Sequence, residues 1–206
     1  INSRIPSEKA HGYQISKMCE SFALAGAEVE LWLPWRKNTT GKDVFDTYGL
    51  KRIFKVEYIT MPDLLRHGQI FQRFIYVFQT FLFLFFLFFR KTSDAVIYTR
   101  NPEIAFLYSL KGVRVVFEDH GWPERKKRLY MFFLRKVSGV IAITRCIEQI
   151  YKNMKDELPV IVASDAVDLE LFTISDEALI LRDKLGLPRE KKIIMYTGSF
   201  YLYAWK

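Results

Sequence analysis

Two short segments carry residue types that could do chemistry. The first is Phe117-Glu118-Asp119-His120-Gly121-Trp122-Pro123, directly after an apolar run. Two acids and an imidazole at the carboxyl end of a strand suit acid–base work or the binding of sugar hydroxyls. The competing reading is a histidine and an aspartate satisfied within a solvated loop, and on residue chemistry alone it is the simpler one. The second segment is Arg4-Ile5-Pro6-Ser7-Glu8-Lys9-Ala10-His11-Gly12, a loop that feeds a helix beginning near Gly12. Amide groups at a helix start, beside a glycine that permits close approach, suit a phosphate. One glycine in such a loop is common and does not by itself specify a ligand. No G-x-G-x-x-G or Walker sequence accompanies it. The neighbouring run Glu124-Arg125-Lys126-Lys127-Arg128 reads as a solvated helix start.

The remaining reactive residues point away from metal and redox chemistry. Cys19 and Cys146 lie in separate helical stretches and read as reduced, semi-buried thiols of a cytosolic protein. His11, His67 and His120 are too scattered to propose a metal cluster, and no Asp-x-Asp pair offers a carboxylate site for a cation on a nucleotide diphosphate. Half of the 206 residues are apolar, enough for a sizeable core. The net charge of +8 favours an anionic partner: nucleic acid, acidic headgroups or a phosphorylated small molecule. Dispersed basic residues and the lack of a recognised module disfavour nucleic acid. Ile1 to Pro6 lacks a signal-peptide pattern, and the expectation is a chain beginning inside, or just after, a first strand.

The elements that must position these residues alternate from end to end. Short apolar, β-branched runs are expected as strands at 29–33 (closed by Pro34), 54–59, 95–98, 113–117, 139–143, 160–163 and 192–196. Helices are expected at 11–25, with Ile15, Met18, Cys19, Phe22 and Ala23 on one face and Gly26 after it, and at 102–110, 125–137, 145–155 and 176–185. Strand–helix alternation of this kind predicts an α/β fold with a doubly wound, Rossmann-like parallel sheet. The expected domains are 1–187 and a hinge at 188 leading into the start of a second domain, 188–206.

Phe74 to Phe89 is the anomaly: 16 residues with eight phenylalanines, polar only at Gln79 and Thr80. As a helix of about 24 Å it falls short of the roughly 30 Å hydrocarbon core. Burial against the sheet is one reading. The other is peripheral contact with a membrane or partner through residues 71–91, because the helix is apolar all round and Arg66, Arg73, Arg90 and Lys91 flank it.

The segment RIPSEKAHGYQISKMCESFALAGAEVELWLP resembles the opening loop and helix of glycosyltransferase family 4, whose members are retaining enzymes with two Rossmann-like domains (GT-B). Further similarity runs in order through Ile97-Tyr98-Thr99-Arg100, Phe117-Glu118-Asp119-His120, Val140 to Thr144, Asp165-Ala166-Val167-Asp168 with Phe172, and Tyr196-Thr197-Gly198-Ser199. The resemblance covers nearly the whole chain and implies the amino-terminal half of a GT-B fold, an acceptor-side domain with the first strand of a donor-binding one. The implied reaction moves a sugar from a nucleotide-diphosphate sugar to an acceptor hydroxyl with retention, without cofactor or catalytic metal. His120 then touches the transferred sugar, Gly12 lets its loop approach the donor diphosphate, and Lys206 neutralises the departing phosphate. His11, Glu118 and Asp119 are loop and acceptor candidates. Ser199 stands where the family carries an arginine, and the family's paired glutamates would lie beyond Lys206, so the 206 residues alone are expected to be inactive. The phenylalanine-rich helix and the basic balance point to a glycan or lipid-linked acceptor near a membrane, and the expected location is cytoplasmic, at the inner membrane face. The alternatives are a non-catalytic Rossmann-like module docking on a membrane or partner, and another GT-B enzyme such as a sugar-nucleotide epimerase, which the Ile5 to Gly12 loop disfavours.

Overall fold

A computed structural model describes residues 1–7, 9–37, 40–64, 72–92, 94–154, 157–169 and 176–196, with only the backbone at 72 and 73. They divide into two compact units, Ile1–Asp165 and Ala166–Lys206.

In the first unit, α1 (Ala10–Leu24) lays Ile15, Cys19 and Ala23, four residues apart, against Leu31 and Leu33 of β1 (Glu30–Pro34). Gly26, at φ 92°, turns the chain out of α1 in a conformation that a side chain would oppose. A five-residue helix, α2 (Val44–Tyr48), follows; the apolar periodicity did not predict it because it is barely more than one turn. Its signal is capping: Asp43 accepts the Asp46 amide at 2.8 Å, and Gly49 ends it at φ 64°. β2 (Lys55–Ile59) pairs parallel with β1, Leu31 opposite Val56. Beyond it come α3 (Gln72–Phe88), β3 (Val96–Thr99), α4 (Pro102–Leu110), β4 (Arg114–Asp119), α5 (Lys127–Leu134), β5 (Gly139–Ala142), α6 (Arg145–Met154) and β6 (Val160–Val162).

All strand pairs are parallel, and the fold is α/β and Rossmann-like. The strands form two sheets, β1–β2 and β3–β4–β5–β6, instead of the single sheet expected. β1 shows why both sides are covered by helices: Leu31 and Leu33 enter the core under α1, while Trp32 packs against the core built from α3, α4, α5 and α6.

In α3, Gln79, Phe83 and Leu87 form one buried stripe at i, i+4 spacing. Gln79 is buried because its amide serves the backbone: it accepts from Leu64 N at 2.9 Å and donates to Pro62 O at 3.0 Å. The C-terminus of α3 is closed by Lys111, whose Nζ donates to the Phe88 and Arg90 carbonyls at 2.8 Å. Thus α3 is anchored by one face only, and Phe74, Phe78, Phe81, Phe85, Phe88 and Phe89 are each more than half exposed. Arg90, one of the cations flanking the apolar run, pairs with Glu57 and lies over the Trp32 ring. Arg66 and the Arg73 side chain lie outside the described residues. No described helix is long and apolar enough to cross a membrane.

In the second unit, α7 (Ala178–Lys184) ends at Gly186, φ 65°. Arg182 Nη1 donates to the carbonyls of Pro188, Arg189 and Lys191, which folds the expected hinge back along the helix. Lys192 to Tyr196, expected as a strand, forms none. Ile194 is 99% exposed, and no described strand pairs with the segment; a lone extended run has no ladder to close.

Candidate functional site

Glu118 and Asp119 are adjacent in sequence and separate in space, because successive side chains of a strand leave opposite faces. Glu118 shares its face with α1. Its carboxylate takes Arg100 Nε at 2.5 Å and Arg100 Nη2 at 3.1 Å, a forked ion pair with both groups largely buried. Arg100, just past the end of β3, also donates to Gln14 Oε1 at 2.9 Å and to Met18 Sδ at 3.0 Å on α1. Gln14 in turn donates to Asp165. At the other end, His120 Nε2 lies 3.1 Å from Glu118 Oε1 with 31% of its side chain exposed. A polar chain therefore runs Asp165, Gln14, Arg100, Glu118, His120 across the carboxyl ends of β3 and β4, where open parallel sheets bind ligands.

Asp119 serves the opposite face. Its Oδ2 accepts the Tyr151 hydroxyl at 2.7 Å, and its Oδ1 accepts the Gly121 amide at 2.9 Å. Trp122 meets Tyr151 and Tyr130 edge-on at 5.5 and 5.6 Å, which closes an aromatic wall around the carboxylate. Burial, reinforced by the Asp119 charge and, for Tyr151, by Tyr130, pushes both tyrosine hydroxyls well above their usual range, so they stay protonated donors. Asp119 is only 1% exposed, which removes it from contact with an acceptor. Its work is to hold the turn that carries His120.

At the start of α1, Gly12 is buried, and a Cβ there would stand 2.3 Å from the Tyr48 hydroxyl. That hydroxyl accepts the Ser7 amide at 2.8 Å and donates to Ser7 O at 2.7 Å, tying the loop to α2. Packing within the protein therefore accounts for the glycine. His11 is half-buried beside it; burial, then the Lys9 and Arg100 charges, hold its pKa below the usual histidine value. A neutral imidazole at this helix start can both accept and donate a hydrogen bond. Lys206, Ser199, His67 and Phe172 lie outside the described residues.

The structure thus brings Glu118, His120 and, through Arg100, the His11 side of α1 to one edge. Sequence reasoning did not single out Arg100 or Gln14 as site residues. Their signal was available: a long cation directly after a strand, and a polar residue one turn into α1 beside its apolar face. Among the described residues no three His, Cys, Asp or Glu side chains group so as to hold a metal ion. No protein-family model matches the chain, and no curated protein matches it.

Proposed function

We propose that this chain is the acceptor-side part of a retaining glycosyltransferase that moves a sugar from a nucleotide-diphosphate sugar to an acceptor hydroxyl in glycan or glycolipid synthesis. The observation that carries the reading is the Arg100–Glu118–His120 chain at the carboxyl ends of β3 and β4, beside the start of α1. Arg100 fixes the Glu118 carboxylate, and His120 Nε2 stands 3.1 Å from its Oε1, which holds the partly exposed imidazole where a sugar hydroxyl could reach it. Charge developing on a departing diphosphate would meet the amides at the start of α1. The ordered motif resemblance from Arg4 to Ser199 supports the same reading.

Saturation-transfer NMR tests it, with the 206-residue chain against nucleoside-diphosphate sugars, glycans and glycolipid headgroups. Saturation of sugar protons, lost in His120→Ala, is the expected result. No sugar contact at millimolar ligand would overturn the proposal.

A second reading, a non-catalytic module docking on a membrane, is favoured by one observation: the phenylalanine face that α3 leaves exposed. Liposome binding without any sugar contact would select it.

A further inference from the structure

α3 carries two stripes on opposite faces. Gln79, Phe83 and Leu87 recur every four residues and are buried in the first unit. Phe78, Phe81, Phe85 and Phe88 recur at spacings of three, four and three, about 180° away around the helix, and face solvent. Alternating steps of three and four are the period of a seam that packs along another helix. No Asp, Glu, Lys or Arg interrupts the run from Phe74 to Phe89. The rings also hold one another in place. Phe86, packed on the core, meets Phe85 edge-on at 5.8 Å; Phe85 meets Phe89 at 5.1 Å, and Phe89 meets Phe88 at 5.4 Å. With Phe89, five rings of about 200 Å² each are 53–66% exposed and leave on the order of 600 Å² of aromatic surface in water. That lies at the top of the roughly 300–600 Å² that the largest apolar patch of a monomer reaches. It approaches the roughly 800 Å² that each partner of a standard interface buries, and Tyr76 and Val77, half-exposed beside it, extend it further.

We propose that this row is the contact surface of a homodimer, in which α3 of one protomer packs along α3 of its partner about a two-fold axis. A two-fold contact sets the same patch against itself, so the patch must be self-complementary. An uncharged aromatic seam meets that condition, because pairing it brings no like charges together. Two cations at its carboxyl end are engaged within the chain: Arg90 pairs with Glu57, and Lys111 Nζ donates to the Phe88 and Arg90 carbonyls. The face therefore offers a partner rings instead of charge, and an identical ring surface is the match. Rings already fixed by their edge-on contacts lose little further freedom on pairing. The pairing is independent of what the carboxyl edge of the sheet binds. A bilayer and a second copy would compete for the same rings.

Sedimentation velocity on the full chain, without lipid, tests this. Wild type should show a monomer–dimer equilibrium with a Kd on the order of 10 µM and no larger species. Phe81→Asp, near the middle of the row, places like charges on both sides of the axis and should weaken pairing by about 100-fold or more. Phe81→Lys should do the same, and mixing the two variants should restore a heterodimer to within about tenfold of the wild-type affinity. Leu24→Asp, on the exposed side of α1, should pair as wild type does. The mixture guards against a variant that merely perturbs α3, since only folded chains with facing rows can recover each other. Wild type that stays monomeric at about 100 µM would overturn the proposal, and binding to acidic liposomes under those conditions would assign the row to lipid. Association that survives Phe81→Asp, that is not restored by mixing, or that grows into open-ended polymers would overturn it as well.

Discussion

The Tyr151 hydroxyl donates to Asp119 Oδ2 at 2.7 Å, and this bond separates the roles of two neighbouring carboxylates. Asp119, spent on Tyr151 and the Gly121 amide, is structural; Glu118, one residue earlier, keeps the face toward Arg100 and His120. Tyr151→Phe leaves the buried carboxylate with the Gly121 amide and its Tyr130 neighbour. The expected loss is about 1–3 kcal/mol in denaturant unfolding. Asp119→Asn should cost a similar amount, and the double variant should show coupling above about 0.5 kcal/mol. Additive losses would mean that the two groups do not act together.

His120 is the exposed end of the polar chain, so its removal should spare the fold and affect the ligand. In an active transferase carrying this chain, His120→Ala should lower turnover by about one to three orders of magnitude, some 1.4–4 kcal/mol of barrier. The thermal midpoint should stay near that of the wild type. Unchanged turnover would return His120 to a solvated loop residue.

Glu20 makes stability depend on pH. Burial opposes its charge, yet Lys17 Nζ at 2.6 Å and the Lys51 amide at 2.7 Å hold its pKa below the ordinary 4.5. A carboxyl that titrates lower when folded stabilises fully above its unfolded pKa, and that contribution is lost as pH falls through the folded one. Glu20→Gln should therefore cost about 1–2 kcal/mol at pH 7, and the gap between variant and wild type should close as urea unfolding is repeated toward pH 3. A constant gap would place the effect in packing instead of charge.

Gly12→Ala would drive a Cβ into the Tyr48 hydroxyl and break its two bonds to Ser7. A loss of about 1–3 kcal/mol is expected. Combined with Tyr48→Phe, which removes the clashing oxygen, the same change should cost much less. Equal costs in both backgrounds would show that Tyr48 is not what Gly12 accommodates.

The α3 surface predicts peripheral binding to acidic liposomes. Replacing Phe78, Phe81 and Phe85 by Ser should abolish it while far-UV circular dichroism and the unfolding midpoint persist, since all three rings are exposed. Phe86, packed against the core, is not a suitable target. With Arg90 paired to Glu57, added salt should weaken binding only modestly. Wild type that ignores liposomes would leave this face to a protein partner.

Local regularities made most of the first unit legible from sequence. The apolar face of α1, the β-branched runs at 96–99, 114–117 and 139–142, Pro102 at a helix start and Gly26 at a helix end each act within a few residues, so the order of elements and the α/β class could be read directly. Carboxyl-end placement of Glu118 and His120 followed from the same order. What depends on partners distant in the chain could not be read. The Arg100–Glu118 pair joins positions 18 apart, Gln14–Arg100 joins positions 86 apart, and Tyr151–Asp119 joins positions 32 apart. α3 shows the same division: an all-round apolar helix has no periodic bias for one face over another, so only packing decided that Phe83 and Leu87 go inward while Phe78, Phe81 and Phe85 face out. The break between β1 and β3 is likewise tertiary, because strand propensity describes each run alone and pairing requires a neighbour at hydrogen-bond distance.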